Sequence, residues 1–318
     1  MNQDNRPPLI AIFGPTASGK SSLAMAVSET FGGEIVSADS RQVYRHMDIG
    51  TDKASPADRA HVEHHMIDVV DPDESYTLAV YQEQAYHAID DILNRGKVPI
   101  LAGGTPLYVN SIIEGWNIPR VEPDMTFRAE LEGEAASHGT ARLHERLVQL
   151  DPESAETILP SNTRRIIRAL EVIHTTGQRM SAQQSKAASP YNILPICLEC
   201  DRPVLYERID RRVDSYIKLG LVEEVAGLHK RGYSFDLPAM SGIGYRQIGD
   251  YLQGRATLAE AVQRIKWDTH AFVRHQGNWF RRAHDARRFD VTTQPAGDAV
   301  LGAVAEFLTF APSTGGRV

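Results

Sequence analysis

A glycine-rich segment near the N-terminus has the spacing of a phosphate-binding loop. The apolar run at 9–13 is followed by GPTASGKS and then by a helix-forming stretch, so every fixed position of the pattern G-x-x-x-x-G-K-[ST] is filled in its usual strand-loop-helix setting. Glycines at two of these positions allow the backbone to approach a ligand closely, and the loop amides and helix N-terminus then point at an anion. The predicted phosphate contacts are Gly14, Pro15, Thr16, Ala17, Ser18, Gly19, Lys20 and Ser21.

Two residues of this loop carry distinct chemistry. Lys20 supplies a mobile positive charge to phosphate oxygens, and the Ser21 hydroxyl is a ligand for Mg²⁺. The motif therefore predicts a Mg²⁺-dependent diphosphate or triphosphate site, but it does not say what happens to the phosphate. The plain alternative is an ordinary glycine-rich turn, which the flanking strand and helix disfavour.

Polar residues follow two further predicted strands. The run at 34–38 ends in Asp39-Ser40-Arg41-Gln42, and the run at 98–102 leads into Gly103-Gly104-Thr105. Ligands of open α/β sheets lie outside the carboxyl ends of the strands, so we expect Asp39 on the same rim as the loop. A helix N-cap is the weaker interpretation of Asp39. Thr105 either presents its hydroxyl to the site or caps the next helix, and position alone leaves both open.

Bulk composition describes an ordinary water-soluble chain. It has 318 residues, two cysteines and a formal net charge of −7. No apolar run reaches the ~20 residues of a membrane span, and the first eight residues have no signal-peptide character. We therefore expect a cytoplasmic protein with no disulfide framework. The net charge gives no hint of a nucleic-acid partner, so arginine clusters have to be identified locally.

The order of predicted elements indicates an α/β fold with an interruption. From residue 120, helical patterns without intervening strands continue to about 176, and a strand resumes at 193–198, which we interpret as the last. The predicted architecture is a P-loop NTPase-like core, with a parallel sheet flanked by helices, plus a helical insertion domain. The core comprises 1–119 and 191–318, and the insertion comprises 120–190.

Two segments concentrate arginine. In a helix opened by Asn162, an apolar stripe of Ile166, Leu170 and Ile173 faces away from the arginines, which are Arg164, Arg165 and Arg168. A long C-terminal helix has a predicted apolar stripe of Leu258, Val262, Ile265, Thr269, Phe272, Gln276 and Trp279. Its end mixes aromatic residues with Arg274, Arg281, Arg282, Arg287 and Arg288. Such mixtures suit RNA phosphates and base stacking, although solvated basic surfaces have the same composition.

Two groups with metal-ligand residue types are better explained without a metal. His61, His64 and His65 have no cysteine partner, so we predict structural or hydrogen-bonding roles for them. Cys197 and Cys200 form a single C-x-x-C on a predicted strand, which places them on opposite faces and disfavours zinc.

The sequence resembles the tRNA dimethylallyltransferase (tRNA isopentenyltransferase) family over nearly its whole length. The motifs are GPTASGKS with Asp39-Ser40-Arg41-Gln42, GTDKAS (50–55), HHMIDVVDPDESY (64–76), LAGGTPLY (101–108), RIIRALEV (165–172), IGYRQI (243–248) and WFRR (279–282). Two departures affect segments assigned to RNA contact. Arg164-Arg165 replaces Gln-Arg, and His275-Gln276-Gly277-Asn278 precedes Trp-Phe where the family has Arg-Gln-x-Thr. The chain lacks the C-terminal zinc finger of eukaryotic members, as expected for a bacterial-type enzyme.

The resemblance implies transfer of a dimethylallyl group from dimethylallyl diphosphate to the exocyclic N6 amine of the adenosine 3′ to the anticodon, with release of diphosphate. It implies that Asp39 is the general base, that Thr105 contacts the leaving group or RNA backbone, and that Arg208 or Arg212 aids the diphosphate. The implied tRNA contacts are Asp39, Ser40, Arg41, Gln42, Thr105, Arg128, Arg164, Arg165, Ile166, Ile167, Arg168, Arg281 and Arg282. We expect a monomer that binds the anticodon stem-loop and Mg²⁺, with no membrane partner.

The alternative class is an ATP-dependent small-molecule kinase of the P-loop class, in which the insertion acts as an arginine-bearing lid. Against it, no apolar strand ends in a single Mg²⁺-binding aspartate, because 194–198 leads into Glu199-Cys200-Asp201. The arginine-rich C-terminal helix would also have no role in such an enzyme.

Overall fold

The computed structural model describes residues 5–183, 187–283 and 285–310. The strands are β1 (Pro8–Phe13), β2 (Gly33–Ser37), β3 (His64–His65), β4 (Val98–Gly103), β5 (Asn192–Glu199) and β6 (Arg287–Asp290). The helices are α1 (Lys20–Phe31), α2 (Pro56–His61), α3 (Leu78–Asn94), α4 (Pro106–Ile113), α5 (Met125–His138), α6 (Thr140–Leu150), α7 (Pro152–Thr157), α8 (Thr163–Thr176), α9 (Met180–Gln183), α10 (Arg202–Leu219), α11 (Leu221–Lys230), α12 (Tyr245–Leu252), α13 (Leu258–Phe280) and α14 (Gly297–Phe310), with a 3₁₀ turn at Ala239–Ser241.

The six strands form one parallel sheet in the order β3-β2-β4-β1-β5-β6. Every residue of β1 is buried, which explains its continuous apolar sequence: helices cover both faces of a parallel sheet. At the carboxyl end of β1, Phe13 pairs with Gly103 of β4 and with Cys197 of β5. The loops that follow these three strands therefore begin at one edge of the sheet, as the predicted α/β class requires.

Two short strands were missed by the sequence interpretation. His64–His65 forms β3, so the strand at 98–103 is the fourth and not the third. Arg287–Asp290 forms β6, so β5 is not the last strand, and the predicted helical end beyond residue 280 is a turn and an edge strand. These two segments have two and four residues and are mostly polar, so they carry no apolar alternation that would predict a strand.

The buried face of α13 also differs from the predicted stripe. Ile265, Val273, Gln276 and Phe280 are buried, whereas Phe272 and Trp279 are exposed. The predicted stripe repeats every seven residues, and a straight α-helix drifts by ~20° per heptad relative to that repeat. Over the three heptads from 258 to 279 the drift adds up to ~60°, so Trp279 at the far end of the stripe turns away from the buried face, where Phe280 lies instead.

The chain divides into two compact units. One comprises Met1–Ile113 with Ser189–Val318 and holds the sheet, and the other comprises Glu114–Ala188. The second unit has its own apolar core, built from residues of α5, α6 and α8. Ile166 and Ile167 lie in that core, with 0% and 5% of their surfaces exposed. No helix in the described part of the chain is long and apolar enough to cross a membrane.

Candidate active site

The glycine-rich loop connects β1 to α1 as predicted. A Cβ at Gly14 would lie 2.6 Å from the Leu198 carbonyl oxygen of β5, so a side chain there would disrupt the close packing of the loop on the sheet. Gly19 has φ 87° and immediately precedes α1, a left-handed conformation that favours glycine. Lys20 is the first residue of α1, and its Nζ donates a hydrogen bond of 2.8 Å to the Pro15 carbonyl. The loop thus closes over its own lysine at the N-terminus of the helix.

Lys20 lies in surroundings that disfavour its charge. Burial and the nearby Arg212 guanidinium lower the pKa of its ammonium to about 8, while Asp39 and Asp52 oppose this shift. Because Lys20 and Arg212 repel each other, an anion between them would relieve the repulsion and raise the pKa again. The arrangement therefore favours a strongly charged anion such as a diphosphate.

Ser18 and Ser21 provide two hydroxyl groups to the loop. The Ser18 side chain is 3% exposed, and its Oγ has no hydrogen-bond partner among the described residues. Buried hydroxyls are normally satisfied, so this one is suited to a ligand oxygen. Ser21 lies exposed in the first turn of α1, at the motif position whose hydroxyl binds Mg²⁺.

Asp39 and Thr105 lie together beside the loop. The backbone N–H of Arg41 donates to Asp39 Oδ1 at 2.8 Å, and the backbone N–H of Ser40 donates to Thr105 Oγ1 at 3.0 Å. The Thr105 hydroxyl thus joins the segments that follow β2 and β4, and it does not serve only as a helix cap. Burial raises the pKa of the Asp39 carboxyl despite the opposing amides and Lys20. A partly buried carboxylate with a raised pKa is a stronger base than an exposed one.

Gln276 of α13 is a part of the site that the sequence interpretation missed. Its side-chain oxygen accepts from the Thr16 backbone N–H at 2.9 Å and from the Thr16 hydroxyl at 3.1 Å. Its Nε2 donates to the Gly104 carbonyl at 2.6 Å. Two signals were available: a glutamine within the apolar stripe of a helix, where a buried amide needs polar partners, and its match to the glutamine of the family pattern Arg-Gln-x-Thr.

Of the two arginines considered for the diphosphate, the structure places only Arg212 in the site. Its guanidinium lies 2.8 Å from Asp52 and influences Lys20. Arg208 instead donates to the main-chain carbonyls of Val291 at 2.9 Å and Thr292 at 3.3 Å, just beyond β6. Arg208 therefore anchors the end of an edge strand, and this correction leaves Arg212 as the candidate. Both residues lie on α10, and sequence spacing does not reveal which face of that helix meets the loop.

Arg41 and Gln42, implied to contact tRNA, are engaged inside the protein. The Arg41 guanidinium donates to the carbonyls of Pro238 at 2.8 Å and Ala239 at 3.1 Å. The Gln42 amide donates to the Thr51 carbonyl at 3.2 Å. These side chains connect the segment after β2 to neighbouring loops and hold Asp39 in place.

The arginines of the helical unit fall into two groups. Arg128 and Arg168 both bind Glu171, whose side chain has no exposed surface, at 2.7 Å and 2.6 Å. Arg164 and Arg165 are exposed at the start of α8. The burial of Ile166 and Ile167 corrects their assignment as RNA contacts, because their side chains pack in the core of the unit.

The C-terminal arginines also divide. Arg288 pairs with Glu199 of β5 at 2.5 Å, and Arg287 pairs with Glu306 of α14 at 2.8 Å, so both stabilise the edge of the sheet. Arg281 and Arg282 are exposed directly after α13. Two of the five arginines in the predicted cluster, Arg287 and Arg288, are therefore engaged in ion pairs.

The histidines have the predicted hydrogen-bonding roles. His64 Nδ1 lies 2.7 Å from the Val62 carbonyl, and His65 Nε2 lies 2.7 Å from Glu34 Oε2. Cys197 is buried and Cys200 is half-buried. Among the described residues, no group of three or more His, Cys, Asp or Glu side chains is arranged to hold a metal ion.

A parallel sheet whose central strand leads through this loop into a helix defines a P-loop NTPase-like fold. The family model described as IPP transferase matches residues 42–283. A tRNA dimethylallyltransferase from Roseiflexus castenholzii is 55% identical over 275 residues, which cover 86% of this chain and 90% of that protein. The chain belongs to the tRNA dimethylallyltransferase family.

Solved structures agree with this membership. The tRNA isopentenylpyrophosphate transferase of Bacillus halodurans superimposes with a TM-score of 0.70 at 40% identity, covering 96% of each chain. A eukaryotic dimethylallyltransferase acting on tRNA superimposes with a TM-score of 0.81 at 26% identity, covering 98% of this chain and 82% of that one. The resemblance and the fold class expected from the sequence are thereby confirmed.

Proposed function

We propose that this protein transfers the dimethylallyl group of dimethylallyl diphosphate to the N6 amine of the adenosine 3′ to the anticodon in tRNAs, releasing diphosphate. The observation that carries the proposal is the position of the Asp39 carboxylate, a base, beside Lys20 of a diphosphate-type loop. A kinase needs the loop to hold a phosphoryl donor. A prenyltransferase needs it to hold a leaving group, next to a base for the incoming amine.

Lys20 and Asp39 have separate roles in the proposed reaction. The adenosine nitrogen forms a bond to the first carbon of the dimethylallyl group as the bond from that carbon to the diphosphate oxygen breaks. Negative charge grows on the diphosphate, where Lys20, Arg212 and the loop amides stabilise it. The proton lost by the amine passes to Asp39, whose burial strengthens it as a base. The target base is unpaired and turned out of its stack before reaction, as base-modifying enzymes require.

The loop also fits a Mg²⁺ ion. Magnesium commonly keeps several waters and binds through substrate phosphates with few protein ligands, so the lack of a carboxylate cluster in the described part of the chain is compatible with it. Ser21 would hold the ion, and the unpartnered Ser18 hydroxyl would meet a ligand oxygen. When bound, Mg²⁺ neutralises part of the charge on the departing diphosphate.

The tRNA would be held by exposed groups in each unit. Arg164 and Arg165 lie exposed in the helical unit, and Arg281 and Arg282 lie exposed after α13. Arginine suits phosphate contacts because its planar guanidinium donates several hydrogen bonds in fixed directions. Trp279, which is 36% exposed, precedes this pair and offers a surface for base stacking.

Label transfer separates the proposed reaction from phosphorylation. The protein is incubated with Mg²⁺ and unmodified tRNA, together with either dimethylallyl diphosphate labelled in the prenyl group or ATP labelled in the terminal phosphate. We expect prenyl label in the tRNA and no phosphate label in any acceptor. Phosphate label in a small acceptor, with no prenyl label in tRNA, would contradict the proposal. The strand that would carry a kinase's Mg²⁺-binding aspartate instead ends at Glu199, which is paired with Arg288.

A further inference from the structure

Gln276 lies far from the loop in sequence but contacts it directly. Its side chain is 1% exposed, and it contacts Thr16, 260 residues earlier, and Gly104, 172 residues earlier. Thr16 belongs to the phosphate-binding loop after β1, and Gly104 belongs to the loop after β4. One buried amide therefore joins two of the loops that surround the candidate site.

The hydrogen bonds of Gln276 determine the direction in which one amide of the phosphate-binding loop points. Because the Thr16 backbone N–H donates to Gln276 Oε1, that amide points toward α13. The opposite end of the same side chain donates to the Gly104 carbonyl at 2.6 Å. A group that only accepts, or only donates, cannot make both bonds, whereas a neutral amide can.

Gly104 is adapted to this contact. A Cβ built at Gly104 would lie 2.8 Å from Gln276 Nε2 and 3.6 Å from Lys20 Nζ. Glycine at this position therefore leaves room for the glutamine amide and for the lysine of the phosphate-binding loop, both of which lie where a side chain would be. The backbone at Gly104 is thus adjacent to both Gln276 and Lys20 and connects their positions.

We propose that Gln276 is a positioning residue for the diphosphate site, holding the phosphate-binding loop and the Gly104 loop in the spacing that receives the diphosphate of the donor. Gln276 itself touches neither substrate. The inference rests on the proposed function for its choice of donor, and it adds a residue of α13 to the apparatus that binds the leaving group.

The test compares Gln276→Met, which removes all three hydrogen bonds of the side chain, with Gln276→Glu, which accepts but does not donate when ionised. The control is Gln263→Met, the same change at an exposed position of α13. For Gln276→Met we expect affinity for inorganic diphosphate with Mg²⁺ to fall by about tenfold or more, since three hydrogen bonds of a buried side chain are lost. The KM of Gln276→Met for dimethylallyl diphosphate should rise by a similar factor, while its affinity for tRNA should not change. Gln263→Met should have the diphosphate affinity and KM of the wild type.

The pH response of Gln276→Glu distinguishes positioning from a general loss of structure. A protonated glutamic acid both accepts and donates, and burial raises its pKa, so diphosphate affinity relative to wild type should recover between about pH 8 and about pH 6. Gln276→Met should show no such recovery. Unchanged diphosphate affinity in Gln276→Met, or recovery equal in the two variants, would overturn the inference. Diphosphate binding with no prenyl transfer by the wild-type protein would instead overturn the proposed function and leave this inference standing.

Discussion

Lys20 and Asp39 are opposite charges whose environments each weaken the charged form. Burial lowers the pKa of Lys20 and raises the pKa of Asp39, and each group partly offsets the shift of the other. An anion such as diphosphate favours the charged form of such a lysine, and a carboxylate with a raised pKa accepts a proton more readily. In the proposed reaction, leaving-group stabilisation and proton acceptance would thus arise from one partly buried pair.

The protonation state of Lys20 predicts how kcat/KM depends on pH. The free enzyme loses the Lys20 charge above about pH 8, so kcat/KM for dimethylallyl diphosphate should decline on the alkaline side of that value. Lys20→Arg should move the alkaline limb upward by at least about two pH units, since arginine stays charged. Steady-state kinetics between about pH 6 and about pH 10 measures both. An alkaline limb that stays at the same pH in Lys20→Arg would assign the titration to another group.

At the scale of single elements, α8 has a buried surface with ion pairs and an exposed surface with arginines. Its buried Glu171 binds Arg128 of α5 and Arg168, three residues earlier in α8, and also accepts from the Asp124 backbone N–H at 2.8 Å. These contacts hold α5 to α8. The exposed Arg165, one turn earlier than Arg168, is free of that ion-pair cluster and is oriented to solvent.

This division predicts different consequences for arginines that look equivalent in sequence. Arg128→Ala leaves a buried carboxylate with fewer partners and should cost about 2–3 kcal/mol of unfolding free energy in the helical unit. Arg165→Ala, the matched control, should leave stability within about 0.5 kcal/mol. Hydrogen exchange over α5 and α8 reports the effect as faster exchange in Arg128→Ala alone. Equal protection in the two variants would mean that the Glu171 cluster does not stabilise the unit.

At the scale of the whole molecule, charge is unevenly distributed. The net charge is −7, yet exposed arginines occur in pairs at 164–165 and 281–282. Local positive potential is sufficient to bind RNA even when the total charge is negative. Whether these arginine pairs bind RNA therefore depends on where they lie on the surface and not on the isoelectric point of the whole chain.

Salt dependence tests whether these pairs contact phosphates. Replacing Arg164 and Arg165 together by alanine should reduce the slope of log affinity for tRNA against log salt by about two, or about one per arginine. The control is the double change of Arg142 and Arg146, exposed arginines of the same unit that pair with Glu134. A slope unchanged by the first pair, or reduced equally by both, would return Arg164 and Arg165 to a general solvated surface.

How far the sequence predicts this molecule depends on the range of the interaction. The loop at 14–21, the strands at 34–38 and 98–102 and the helix opened by Asn162 were predicted because each depends on local patterns. Strands β3 and β6 were not, since they exist only through pairing with β2 and β5. The role of Gln276 depends on contacts across 260 and 172 residues, and no local pattern contains them. The choice between Arg208 and Arg212 required the rotation of α10 about its axis.

The most direct test of the account is the single-turnover rate of prenyl transfer by Asp39→Asn, measured at saturating tRNA and dimethylallyl diphosphate. Asparagine keeps an acceptor for the Arg41 backbone N–H that now donates to Asp39 at 2.8 Å, but it is not a base. We expect the rate to fall by about a thousandfold, with the tRNA dissociation constant changed by less than about threefold. A rate close to that of the wild type, or a loss of tRNA affinity as large as the loss of rate, would contradict the assignment of Asp39 as the base.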